Sequence, residues 1–251
     1  VDGRRLLIGG NADGTIQAME IRTGKPVWKF ALSKRGINSS VVVEGTRVYA
    51  SHSEENLDEA TMGRVVCIDA TGTGDVTQSH EVWRVNQVKA GFSSPALKDG
   101  PLFVVDNSGN LYSLDAEDGI TSWDHNLGTV GRGSPVLADG KLYVTETNGS
   151  FQILAPGDTD VRLLSNVTLK IGDRTAEIFG SPSVSNGSVY FVTEEGLYCL
   201  ADKNERQTHT SKKLPLSAAA GNTQLKNGQN QLLLVPADAL VNSGEKLQFR
   251  A

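Results

Sequence analysis

Four serines, Ser40, Ser94, Ser134 and Ser181, open segments of one design, and that recurrence restricts the chain to repeat architectures. They stand in Ile37-Asn38-Ser39-Ser40-Val41, Phe92-Ser93-Ser94-Pro95, Gly133-Ser134-Pro135 and Gly180-Ser181-Pro182. Eight residues after each serine comes an apolar run: Val48-Tyr49-Ala50, Leu102-Phe103-Val104, Leu142-Tyr143-Val144 and Val189-Tyr190-Phe191. A glycine marks the turn between opening and run, at Gly45, Gly100, Gly140 and Gly187. A second turn follows, at Asn107-Ser108-Gly109, Asn148-Gly149 or Glu195-Gly196, and then a third run such as Leu111-Tyr112-Ser113-Leu114. An acidic-to-glycine turn comes next, as in Asp115-Ala116-Glu117-Asp118-Gly119 and Asp69-Ala70-Thr71-Gly72, and a tryptophan closes the unit, at Trp28, Trp83 and Trp123.

The N-terminus reads as a copy entered part-way, with Leu6-Leu7-Ile8 as its second strand, Ile16 to Ile21 as its third and Trp28 in its fourth. That makes five copies, the first lacking most of its opening strand. The serines lie 54, 40 and 47 residues apart, and one insertion, from about His52 to Met62, lengthens the first interval. Short alternating strands joined by glycine turns are consecutive hairpins. Four-stranded antiparallel units at this period predict an all-β chain, a β-propeller of about five blades. No tryptophan closes the fourth or fifth copy.

The 27 glycines, set against 8 prolines, largely fall in these recurring turns. A net charge of −5 excludes a generally basic nucleic-acid binder. No apolar run approaches the ~20 residues of a membrane-spanning helix, and no signal peptide is read. The glycine-rich stretch Gly9-Gly10-Asn11-Ala12-Asp13-Gly14 joins two strands and opens no helix, so it does not cradle phosphate. His52, His80, His125 and His209 share no repeat position and no catalytic arrangement.

The unit Gly-x-Leu-Tyr-x-Leu-Asp-Ala-x-x-Gly-x-x-x-Trp, closest at 107–123, good at 13–28 and legible at 63–83, resembles the PQQ-like repeat of a propeller family. That family holds pyrroloquinoline-quinone (PQQ) dehydrogenases and non-enzymatic BamB-like assembly scaffolds. The repeats are assigned to 1–215 and a linker to 216–230. Residues 231–251, with Leu232-Leu233-Leu234-Val235-Pro236 and Leu247-Gln248-Phe249, resemble the opening of a bacterial immunoglobulin-like module. On this reading the chain is cut from a propeller of roughly seven or eight blades.

Trp28, Trp83 and Trp123 recur in successive units, which predicts packing between blades and not stacking on one quinone. Cys67 and Cys199 fall in the slot that holds Ala18 and Ser113 elsewhere, and both are expected to be inert packing thiols too distant to bridge. The insertion carries Glu54, Glu55, Asp58 and Glu59. It lacks the residue order of a calcium loop, so a solvated excursion is expected, and no metal. It shares a face with the blade-to-blade links, where Lys34, Arg35, Lys89 and Arg132 are also expected. Together these form a candidate docking face, acidic lobe beside basic rim.

Two functions follow. The first is a non-catalytic scaffold, extracytoplasmic by the resemblance, binding a protein partner or a cell-surface polymer, with no cofactor and no catalytic residue. The alternative is a quinoprotein dehydrogenase acting on alcohols or sugars, in which the four basic residues would face PQQ beside calcium.

Overall fold

The computed structural model describes Val1 and residues 3–201, and the expected linker at 216–230 and module at 231–251 lie outside the described residues. Five successive antiparallel sheets are built in chain order. The first holds β1 (Leu6–Gly10), β2 (Thr15–Glu20) and β3 (Pro26–Ala31). The second holds β4 (Val42–Glu44), β5 (Arg47–Glu55), β6 (Met62–Asp69) and β8 (Glu81–Asn86). The third runs β9 (Ala96–Leu97), β10 (Pro101–Val105), β11 (Asn110–Asp115) and β12 (Thr121–Asn126). The fourth runs β13 (Val136–Ala138), β14 (Lys141–Thr145), β15 (Ser150–Pro156) and β16 (Val161–Thr168). The fifth has β19 (Ser183–Ser185), β20 (Ser188–Val192) and β21 (Leu197–Leu200) among the described residues. These are propeller blades, each strand paired with its sequence neighbour.

Two elements depart from the four-strand repeat. The first blade reaches four strands because β7 (Gly74–Asp75), from the turn between the third and fourth strands of the second blade, pairs parallel with β3. Lys29 ion-pairs Asp75 at 3.3 Å, and Ala31 N–H donates to Thr77 Oγ1 at 2.9 Å. A small hairpin, β17 (Lys170–Ile171) with β18 (Arg174–Thr175), fills the link from the fourth blade to the fifth.

The serines that define the repeat are linked to one another. Ser40 N–H donates to Ser94 Oγ at 2.9 Å, Ser94 N–H to Ser134 Oγ at 2.9 Å, and Ser134 N–H to Ser181 Oγ at 2.8 Å. Each blade opening therefore hangs on the next, and an alanine would leave one backbone donor unpaired. The tryptophans make a second series. Trp28 Nε1 donates to Ala70 O at 3.2 Å, Trp83 to Ala116 O at 3.0 Å and Trp123 to Gly157 O at 2.9 Å, always into the following blade.

Alternation fails in the central strands, for a physical reason. In β5, Val48 and Ala50 pack toward the first blade while Tyr49 packs toward the third. In β10, Leu102 and Val104 face the second blade while Phe103 and Val105 face the fourth. Both sheet faces are covered, so both residue parities become apolar. Outermost strands keep polar alternation, as in β12, and so does β2 of the first blade, where Thr15 and Gln17 alternate with buried Ile16 and Ala18.

The register places each tryptophan opposite its small residue: Ala18 and Trp28, Cys67 and Trp83, Ser113 and Trp123. The register slips directly afterwards in all three, a bulge that sharpens local twist. The fourth blade has the same slip but sets Ile153 opposite Ser165, exchanging the sizes.

Glycine is required where the second-to-third strand turn meets the outgoing link. Gly63 has φ +84°, and a Cβ there would stand 2.7 Å from the Val88 carbonyl oxygen. Gly45 has φ +58° with nothing within 4 Å of such an atom. Gly45→Ala is expected to cost about 1 kcal/mol, the left-handed penalty alone. Gly63→Ala should cost at least about 2 kcal/mol, because backbone must also move. Urea denaturation of the two variants measures the difference, and equal losses would contradict a close approach.

Candidate docking face

The blade-to-blade links and the second-to-third strand turns share one face because they are bonded to each other. Leu32 and Ser33 N–H both donate to Gly14 O at 3.0 Å. Gln87 N–H reaches Gly63 O at 2.9 Å, Leu127 N–H reaches Gly109 O at 2.8 Å, and Leu169 N–H reaches Gly149 O at 2.9 Å. The following blade grips the same link, with Asn107 N–H donating to Lys89 O at 2.9 Å and Thr147 N–H to Val130 O at 3.2 Å.

On these links stand the four expected cations. Lys34 and Arg35 lie between the first and second blades, Lys89 between the second and third, and Arg132 between the third and fourth; all four are exposed. Lys34, Arg35 and Lys89 make no ion pair among the described residues. The Arg132 guanidinium lies 4.4 Å from the centre of the Phe92 ring, and Phe92 is 46% exposed. Phe92, Arg132 and Phe179 each precede a linked serine by two positions, and of these Arg132 and Phe92 are in contact. Sequence reasoning singled out Arg132 and missed the two phenylalanines, although the serine spacing contained them.

The acidic insertion is joined to the first link, with Lys34 N–H donating to Glu55 O at 3.0 Å and a β-bridge between Ser33 and Asn56. Its charges differ from one another in fate. Asp58 accepts from Arg64 at 2.5 Å and also from Arg84, and Glu59 accepts from Arg64 at 3.3 Å. Arg84 in turn holds Glu81 at 2.5 Å. The Arg64 hydrogen bond holds the Asp58 carboxyl down at about 2. Two of the four insertion carboxylates are thus committed inside the second blade. Glu54 and Glu55 keep no cationic partner among the described residues. The neutralising pair was hidden in sequence: Arg64 interrupts an apolar strand, and Arg84 follows Trp83.

This donor set does not suit calcium, since its two central carboxylates face guanidinium groups. Among the described residues no group of three or more His, Cys, Asp or Glu side chains is placed to hold a metal ion. The basic residues offered for PQQ stand on three separate links, and the one at Arg132 is stacked on Phe92.

Beneath the insertion, His52 Nδ1 accepts from Glu54 N–H at 3.2 Å, which leaves the proton on Nε2. His52 Nε2 and Asn56 Oδ1 are buried without a hydrogen-bond partner among the described residues. The thiol of Cys67 is buried and pushed up to about 11 by that burial, as expected of an inert packing residue. Cys199 departs from the expectation: it is free and exposed. It occupies the small slot, opposite Tyr190 as Cys67 is opposite Tyr49, yet no described fourth strand or tryptophan covers it.

Comparison with known proteins agrees with this architecture. Residues 12–233 match the family described as outer membrane protein assembly factor BamB. BamB from Moraxella catarrhalis superposes with a TM-score of 0.59 at 16% identity, over 78% of this chain and 57% of that one. A chain of the mitotic checkpoint complex superposes with a TM-score of 0.63 at 11% identity, over 80% of this chain and 60% of that one. The chain thus spans less than two thirds of either, and at these identities the likeness is one of fold. No curated protein sequence matches. The repeat, its bonded series and the match over residues 12–233 place the chain in the family of outer membrane protein assembly factor BamB.

Proposed function

We propose that this propeller is a non-catalytic scaffold of an extracytoplasmic modular protein, docking a protein partner on its link face. One observation carries the reading. The face presents exposed Lys34, Arg35 and Lys89, without ion pairs among the described residues, and Arg132 on a half-exposed aromatic ring, while Asp58 and Glu59 are neutralised within their own blade. Aromatic and arginine side chains are what interface centres favour, and rim charge supplies steering and register. The family's description as an outer-membrane assembly factor supports both a protein partner and a periplasmic or extracellular location.

The triple variant Lys34→Glu, Lys89→Glu, Arg132→Glu is expected to keep the wild-type melting midpoint and to lose at least about tenfold in partner capture from envelope extract. Undiminished capture would overturn the face assignment. A polymer ligand would register as retention on cell-wall or capsule material after protease treatment of the extract. The dehydrogenase alternative is tested on the same protein with PQQ and calcium. Stoichiometric quinone absorbance with alcohol- or sugar-dependent dye reduction would replace the scaffold reading.

A further inference from the structure

The four described outer strands are equivalent by register, and they differ in how their edges are protected. In three of them a charge follows the tryptophan: Lys29 in β3, Arg84 in β8 and Asp124 in β12. Charges at such positions discourage another chain from pairing. The fourth, β16, carries Asn166 there, following Ser165 in the tryptophan's place. It is also longer, at 8 residues against 6, and exposes Leu163 (48%), Leu164 (39%) and Val167 (50%). Its only charge is Arg162, and no described strand pairs with its outer side.

The molecule shows what such an edge accepts. On the first blade, β7 pairs with Trp28 and Lys29, just past the bulge, and brings Asp75 to Lys29. A charged edge is met by a segment of opposite charge. The corresponding stretch of β16, Ser165 to Thr168, is neutral, and another copy of itself complements it without leaving an unpaired charge.

We infer that β16 is a self-association edge, through which two copies of this chain pair antiparallel about a two-fold axis at Asn166, normal to the sheet. Asn166 of each copy then faces Asn166 of the other, and Ser165 faces Val167. The two Asn166 side chains lie side by side on one face, while the Arg162 side chains lie at opposite ends of the paired stretch. Exposed Leu163 and Val167 of both copies flank the seam. A two-fold contact of this kind is closed, so it stops at a dimer. It is independent of the scaffold reading and uses none of the link-face cations.

Sedimentation velocity of the 251-residue chain is expected to show a reversible dimer in the micromolar range. Asn166→Lys and Asn166→Asp place like charges beside each other and should each weaken it at least about tenfold. Mixing the two variants should restore a heterodimer, because the adjacent charges are then opposite. Ile120→Lys removes a more exposed apolar side chain, 65% accessible, away from this edge, and should leave association unchanged. The inference is overturned by a wild type that stays monomeric up to about 100 µM. It is equally overturned by a dimer indifferent to Asn166, by failure of the mixture to reassociate, or by an equal effect of Ile120→Lys.

Discussion

Trp83→Ala is expected to lower the unfolding free energy by about 3–5 kcal/mol, the loss of a large buried aromatic at a blade seam. The indole is buried against the third blade, tilted onto Tyr49 with ring centres 5.9 Å apart. A Cβ on Gly119 would come within 2.7 Å of the ring, so the glycine of the acidic turn lies directly under it. Truncation opens a cavity that neither Cys67, fixed across the ladder, nor the glycine can fill. Trp83→Phe separates packing from hydrogen bonding. The Ala116 carbonyl also accepts from Tyr49 Oη at 3.1 Å, so losing Nε1 leaves it satisfied. The phenylalanine variant should therefore lose about half as much as the alanine one. Urea denaturation of both variants tests this, and a loss under about 1 kcal/mol for Trp83→Ala would remove the tryptophan from the blade seam.

The same residues explain why the fold was legible. Ser94 or Trp83 acts at once on its own turn or strand and on the next blade, so one constraint recurs at every copy and becomes visible as spacing. Pairings that occur once leave no such trace. Gly74 and Asp75 pair with Trp28 and Lys29 through a turn that elsewhere is short, and a two-residue strand has no periodicity to read. Cys199 shows the limit of inference by position: the slot is defined by what covers it, and that lies on another strand. The candidate face was legible as a set of linker positions. Its electrostatics were not, because Arg64 and Arg84 reach Asp58 only through the register of β6 with β8.

Stability is expected to fall as the medium is acidified from about pH 6.5 to about pH 4, and His52→Asn should abolish most of that fall. His52 is 1% exposed, and burial first, with the charge of Arg64 across the ladder second, pushes its pKa down to about 4. The unfolded side chain titrates near 6.5. Between those values the unfolded chain binds more protons than the folded one, so stability rises with pH there and is fully present above it. The gap corresponds to at most about 3 kcal/mol. The local geometry opposes the proton as well. Protonated Nδ1 would confront the Glu54 N–H that it now accepts, and the strand end that carries Glu55 into the first link would be pushed away. Asparagine is the replacement because Asn11 holds the equivalent place in the first copy, bonding into its own turn at Thr15 Oγ1. The second acid-sensitive contact acts in a different window. Asp58, held at about 2 by Arg64, contributes stability present above its unfolded pKa of about 4 and lost as pH falls toward 2. Denaturation midpoints of wild type and His52→Asn between pH 7.5 and 4.5 therefore isolate the histidine. A wild-type midpoint that does not move over that range, or a slope that survives the substitution, would show that His52 takes up its proton freely in the folded blade.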